Sequence, residues 1–482
     1  MIKNINLFYL PILVILLSGL TASIILFASS KIIAAVALLP IFTFFYINPT
    51  NFIKIVLPMV MITFPITLQA FGKDAFSTGT LIIFSTLAWS MTKHKLNTTI
   101  SNNRFIFSLL FLIAGIGLVG MVTKTPVEYW GPAIRHYFNL ISSISLFLLI
   151  IHGQRIRGMA ENKREYIEKL ITTMLLIAAL HIFLCFLILN YPWIEQYFSI
   201  FLKRSQEHLA GNLVEGFYVR AISVFTGGEE LGELLVLLFP FVIYKLFTSR
   251  KKIYSLFAVS LLFGVIISGT RSAFLLIAIQ SFTFIVIFIP AKYNRRKIVL
   301  TITFSIVGFL MLPVFLKYGP ILMDRMQETI GQVFQSEDIE NITNRYRVWP
   351  MAYKITTSTI SLFGHGPVQA HVISFHALNF HNLYLTLVFQ FGVVGSICFI
   401  VFFLSLAKPL YVAAKLQRSE KGPFYLLAIA CLLSLFSFLI NEIKFEFNRS
   451  DSYQQFVWGI FAVYYLTGTM CQNPKNEKAF NN

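Results

Sequence analysis

Acidic residues are scarce in this chain. Asp and Glu number 21 among 482 residues, against 39 Lys and Arg, which leaves a formal net charge of +18. Charged residues of both signs make up only 12%, whereas soluble domains carry roughly 25%. With 56% hydrophobic residues beside so few charges, an ordinary soluble domain is excluded. Cysteine is rare too. Cys185, Cys398 and Cys431 lie in apolar stretches and Cys471 in the C-terminal tail, with no C-x-x-C or Cys/His metal spacing. A disulfide framework and a zinc site are thereby disfavoured. The basic segments carry no Walker A or G-x-G-x-x-G stretch, and the gaps on the other side carry no D-x-D. Neither ATP-driven work nor a metal-bound nucleotide-sugar donor is indicated.

What is abundant is long apolar runs. A membrane span needs about 20 largely apolar residues. Fourteen runs qualify: 7–28, 32–47, 53–71, 77–92, 105–123, 137–152, 170–190, 231–247, 253–268, 272–290, 298–316, 380–407, 423–440 and 452–470. Each is read as a helix, because a helix satisfies its own backbone in lipid. The first run follows Lys3 and is long for a signal peptide, so it reads as a retained span. With a cytoplasmic N-terminus, every short basic connection falls on one side: 93–104, 153–169, 248–252, 291–297 and 408–422. That is the positive-inside pattern. It survives loss of two spans, so twelve to fourteen are expected. The basic excess thus reads as topology and attraction to membrane lipids, not nucleic acid. The expected fold is an all-α polytopic bundle with both termini cytoplasmic. Its segments are helices over 1–190, an outer loop 191–230, helices over 231–316, a partly helical outer cap 317–379, helices over 380–470 and a tail 471–482.

The outer face collects the candidate chemistry. Arg220 precedes the 231–247 span, and Arg271 sits in Ser268-Gly269-Thr270-Arg271 between two spans. Arg345 and Arg347 lie in the cap, and His381-Asn382 opens the 380–407 span. Several arginines at a membrane surface suit a diphosphate, because the guanidinium fork binds phosphate oxygens and keeps its charge. Each could equally anchor a helix end by snorkelling. Arg271 stands out, since a short turn tucks it into the bundle, where charge is costly. A neutral His381 could accept a hydroxyl proton, or be an ordinary interfacial histidine. His365, His371 and His376 do not share a helical face, so a metal site has little support. Glu229, Glu230 and Glu233 read as acids at a helix N-terminus.

These residues resemble the O-antigen ligase and O-antigen polymerase superfamily. His381-Asn382, nine residues, then Gly392-Val393-Val394-Gly395 fits the ligase pattern H-[NSQ]-x9-G-x-x-[GTY]. Ser268-Gly269-Thr270-Arg271-Ser272-Ala273 is similar to the family's S-G-[ST]-R-[GS]-A turn. Arg345-Tyr346-Arg347-Val348-Trp349 with Gly364-His365-Gly366 is similar to its R-x3-W…G-x-G segment. The resemblance covers roughly residues 215–405. It implies a GT-C-like, metal-independent, inverting glycosyltransferase of the bacterial inner membrane, without cofactor and with a periplasmic site. The implied donor is an undecaprenyl-diphosphate-linked glycan; the acceptor is lipid A-core for a ligase or a lipid-linked glycan for a polymerase. Arg220 and Arg271 would neutralise the diphosphate, and His381 would orient or deprotonate the hydroxyl. Asn382 would hold local geometry, with Arg345 and Arg347 binding substrate. A protein O-glycosyltransferase of the same set and a lipid-linked glycan flippase remain alternatives.

Overall fold

The computed structural model describes residues 67–70, 73–93, 96–157, 163–191, 228–249, 251–288, 353–354, 361–368, 380, 382–418, 422–443 and 451–470. After a short hairpin, β1 (Thr67–Ala70) and β2 (Lys73–Ser77), these residues form a helical bundle. Its helices are α1 (Thr78–Lys93), α2 (Leu96–Asn102), α3 (Arg104–Lys124), α4 (Trp130–Arg157), α5 (Lys163–Asn190) and α6 (Gly228–Thr248). They continue with α7 (Ile253–Ser268), α8 (Arg271–Phe282), α9 (Leu383–Leu416), α10 (Pro423–Asn441) and α11 (Asp451–Met470). A wider turn, Thr283–Phe288, extends α8.

Among the described residues, six helices are long and apolar enough to cross a membrane: Arg104–Lys124, Val127–Gln154, Lys163–Ile188, Glu229–Thr248, Leu383–Leu416 and Pro423–Asn441. Ile253–Ser268 and Ser272–Val286 are shorter apolar helices. The polytopic helical bundle expected from the sequence is therefore present. The runs 7–28, 32–47 and 298–316, most of 53–71, and nearly all of loops 191–230 and 317–379 and tail 471–482 lie outside the described residues. One local difference is clear. Residues 67–70, read as the end of a span, instead pair antiparallel with 73–77, with a bulge after Leu68. Gln69, Lys73 and Asp74 make that stretch too polar for a span end.

α11 is the least apolar of the expected spans, yet Tyr453 to Tyr464 are all buried. It packs against α4, α9, α10, α5 and α6. A helix wrapped in protein can carry Tyr453, Gln454, Gln455 and Thr467, which lipid would penalise. Its Trp458 and Phe461 pack with Phe147 and Phe402, centroids 5.3 to 6.1 Å apart, edge-on except for the tilted Phe402–Trp458 pair. α6 is similarly enclosed and contains Pro240. Proline has no N–H to offer the carbonyl four residues back, that of Val236. Gln280 on α8 supplies the missing donor: its Nε2 reaches Val236 O at 3.1 Å and Ser437 Oγ at 2.7 Å. Ser434 donates to Leu237 O at 2.5 Å and accepts from Tyr464 at 2.6 Å. α6, α8, α10 and α11 are thus tied by side chains, one of which, Gln280, replaces the donor that the proline lacks.

Short connections force antiparallel neighbours, so the helix ends sort into two sets. One end carries Arg104, Lys163, Arg164, Lys251, Lys252, Lys415 and Arg418. The other holds the end of α3, the start of α4, the start of α6, the α7–α8 turn, the start of α9, the end of α10 and the start of α11. Tyr453 to Glu233 joins α11 to α6 there, and Leu383 N to Glu442 O joins α9 to α10.

Candidate functional site

At that second end the α7–α8 turn is two residues long. Gly269 ends α7 in the left-handed region, φ 61°, where a Cβ is strained. Ser268 Oγ bonds Val265 O at 2.8 Å and accepts from Thr270 N at 3.3 Å. Thr270 then starts α8, its carbonyl accepting from Ala273 N and Phe274 N at 3.1 and 3.2 Å. Gly232 of α6 lies directly under Thr270: an added Cβ would sit 2.6 Å from Thr270 Cβ. The turn is therefore clamped on the start of α6, and Arg271 is the first residue of α8.

Asn382 is the N-cap of α9. Its Oδ1 accepts from Leu385 N at 3.1 Å and its Nδ2 donates to Ile443 O at 2.9 Å. Leu383 N donates to Glu442 O at 2.9 Å, and the Tyr384 hydroxyl to Leu439 O at 2.8 Å. One asparagine thus both caps its helix and ties it to the end of α10. This accounts physically for an amide at that position. An N-cap needs a short acceptor, and the tie needs a donor on the same side chain.

More than two helical turns further along α9, Gly392 breaks the helix, with φ 66° and ψ −168°. The segment Ser361–Val368 enters beside the break. His365 N and Gly366 N donate to Phe389 O and Gln390 O at 2.9 and 2.8 Å, while Val393 N and Val394 N donate to Ser361 O and Leu362 O, both at 3.2 Å. The backbone groups exposed by the break are thereby paired, as a bundle interior demands. The fit leaves no room for side chains. A Cβ on Gly364 would come within 2.5 Å of Gly392 N, and one on Gly120 of α3 within 2.6 Å of Gly366 N. His365 stacks on Phe389, centroids 4.5 Å apart at 11°, and its carbonyl accepts from Thr125 Oγ1 at 2.5 Å. Burial, and to a lesser degree Lys124, pull its imidazole below the ordinary pKa, against the hydrogen bond to Phe389 O.

Three buried carboxylates gather at the same end. Tyr453 donates to Glu233 Oε2 at 3.3 Å, and Glu442 and Glu230 act on the same hydroxyl. Glu229 and Glu230 sit in the first turn of α6, where acids are expected. Glu233 and Glu442, at 2% and 0% exposed, are buried.

Residues 256–400 match the family described as O-Antigen ligase. The match falls on the segment that carries the motifs, which is thus similar to O-antigen ligases. No curated protein matches the chain. Within this matched segment, the start of α8 and the Asn382 junction lie at one end of the bundle. His381, Arg220, Arg345 and Arg347 lie outside the described residues, as does the Arg271 side chain. Missed in the sequence was the seat on α3. Gly117 and Gly120 face Pro367, Phe391 and the Gly364–Gly366 segment. Small residues one turn apart in an apolar helix were the signal for it.

Proposed function

We propose that this protein is an O-antigen ligase-like glycosyltransferase of the bacterial inner membrane. It transfers a glycan from undecaprenyl diphosphate to a sugar hydroxyl of lipid A-core at the periplasmic face. One observation carries the reading: the α7–α8 turn bearing Arg271 and the Asn382 cap beside His381 fall at the bundle end opposite the basic helix ends. The diphosphate is already a good leaving group, so the demand is to stabilise its charge as the glycosidic bond breaks. Arg271, at the positive end of α8, and Arg220 take that role. Neither a metal nor a cofactor is required. His381 accepts the proton of the attacking hydroxyl, and inversion follows from attack opposite the diphosphate. Asn382 holds the histidine's helix to α10. Glu230, Glu233 and Glu442 supply counter-charge that keeps unoccupied arginines in place. Arg345 and Arg347 bind the sugars or phosphate from the cap, which keeps competing water out. The domain layout expected from the sequence, with the 317–379 segment as cap, is part of this reading.

The test is complementation of a strain lacking the gene, with lipopolysaccharide resolved on a gel. Wild type restores glycan-bearing bands; Arg271→Ala and His381→Ala, shown to insert normally, do not. Full banding from both variants would remove the site. A deletion strain whose core still bears one repeat would assign the protein as a repeat-unit polymerase instead.

A further inference from the structure

His365 stands at the same end of the bundle as Asn382, and its ring is held in one orientation. Its backbone N–H donates to Phe389 O at 2.9 Å, and ring Nδ1 lies 3.2 Å from that same oxygen. A carbonyl only accepts, so Nδ1 carries the proton and Nε2 carries the lone pair. The imidazole stacks on the Phe389 ring, and its own carbonyl is tied to Thr125 just past the end of α3. The flanking glycines press the backbone into place: Gly364 lies against Gln390 and Gly392 of α9, and Gly366 against Met121 of α3. The ring is half-buried, and among the described residues nothing donates to Nε2. An open acceptor on a fixed ring adds nothing to packing. It suits a ligand that brings a hydroxyl.

The position fits one partner. Phe380, itself buried, packs edge-on against Phe389 with ring centroids 5.4 Å apart. Phe389 therefore stands between His365 and the residue that immediately precedes His381. α3, which carries this seat, packs on α9 and α4, whereas α8, which starts at Arg271, packs on α6 and α10. The seat and the start of α8 thus lie on different flanks of the bundle. With the donor's diphosphate drawn to Arg271, the sugar that meets His381 from the His365 flank is the acceptor.

We propose that His365 is a specificity-determining residue of the transfer site, its Nε2 accepting a hydrogen bond from a second hydroxyl of the acceptor sugar. That bond fixes which neighbouring hydroxyl is presented to His381 for attack. No proton is transferred at His365. Burial and the nearby Lys124 both oppose protonation of the ring, which keeps it an acceptor at neutral pH. The inference rests on the transferase reading above.

The test uses full-length protein in detergent, with an undecaprenyl-diphosphate-linked glycan as donor and lipid A-core from the deletion strain as acceptor. His365→Phe keeps a ring to stack on Phe389 and removes the accepting nitrogen; His365→Leu is a second variant without an acceptor, so the result does not hang on one protein folding. A hydrogen bond made alike in the ground and transition states changes KM and leaves kcat. The acceptor KM is therefore expected to rise about five- to tenfold, with kcat and the donor KM unchanged. His365→Gln, whose amide oxygen accepts, recovers part of that rise. An equal rise in both KM values, or a fall in kcat alone, would mark a purely structural role and overturn the inference. Transfer by the wild type with an unaltered acceptor KM in the folded variants would overturn the inference alone. No transfer by folded wild type would refute the transferase reading, and the inference with it.

Discussion

Substituting Gly392 by alanine separates a broken α9 from a continuous one, because the two predict opposite signs. In an ordinary helix, Gly→Ala is stabilising by about 1 kcal/mol. At φ 66° and ψ −168° the backbone occupies a region nearly closed to other residues, costing about 1–3 kcal/mol. The new Cβ would also stand 2.5 Å from the backbone of Leu362. Relieving that clash requires the Ser361–Val368 segment to withdraw. Withdrawal breaks the four backbone hydrogen bonds across the break, each worth about 1 kcal/mol net. The expected loss is therefore about 5–7 kcal/mol. It is read as a large fall in the apparent melting temperature of the purified protein in detergent. Gly115→Ala, on α3 with open space around its Cβ position, is the matched control and should be neutral or stabilising. A Gly392→Ala protein as stable as the control would refute the break and the seating of the 361–368 segment.

Three further outcomes follow from particular contacts. Gln280→Leu should destabilise by about 1–3 kcal/mol, because it strands the Val236 carbonyl that Pro240 leaves open. Pro240→Ala in the same chain should recover part of that loss, and strict additivity in thermal denaturation would refute the pairing. Asn382→Ala should cost about 1–2 kcal/mol as a lost cap, with glycan transfer falling further than stability; transfer that tracks stability alone would deny Asn382 a positioning role. Burial disfavours the charged imidazole of His365, so its folded pKa lies below the unfolded value near 6.5. No penalty exists above that value, and it grows as pH falls through it, since the unfolded chain then binds the proton more readily. His365→Gln should therefore flatten the fall in melting temperature between pH 7.5 and 5.5, and an unchanged slope would exclude His365 as its source.

Apolar runs made the helices legible because lipid-facing helices are selected for little else. The run 253–268 coincides with α7, and 423–440 with α10 to within one residue. The hairpin at 67–77 was not legible, because a short polar stretch beside a span carries no periodicity strong enough to separate strand from helix end. The motif glycines were visible as letters, but their cause was not. Gly392 resembles any helix glycine until the positive φ and the approach of Leu362 are known. The same holds for Gly120, against which the backbone of Phe363, Gly364 and Gly366 lies from far along the chain. Pro240 advertised a missing donor, but only packing shows that Gln280 on another helix provides it.

The most direct test of a single outer-face site is labelling of two cysteines placed at the proposed catalytic positions. Arg271→Cys and His381→Cys would be made singly, in a background with Cys185, Cys398, Cys431 and Cys471 replaced by serine, and treated in intact cells with a membrane-impermeant maleimide. The account predicts that both react from outside, that lipid-linked diphosphate donor protects both, and that Lys251→Cys reacts only after permeabilisation. Reaction of positions 271 and 381 from opposite sides of the membrane would contradict it.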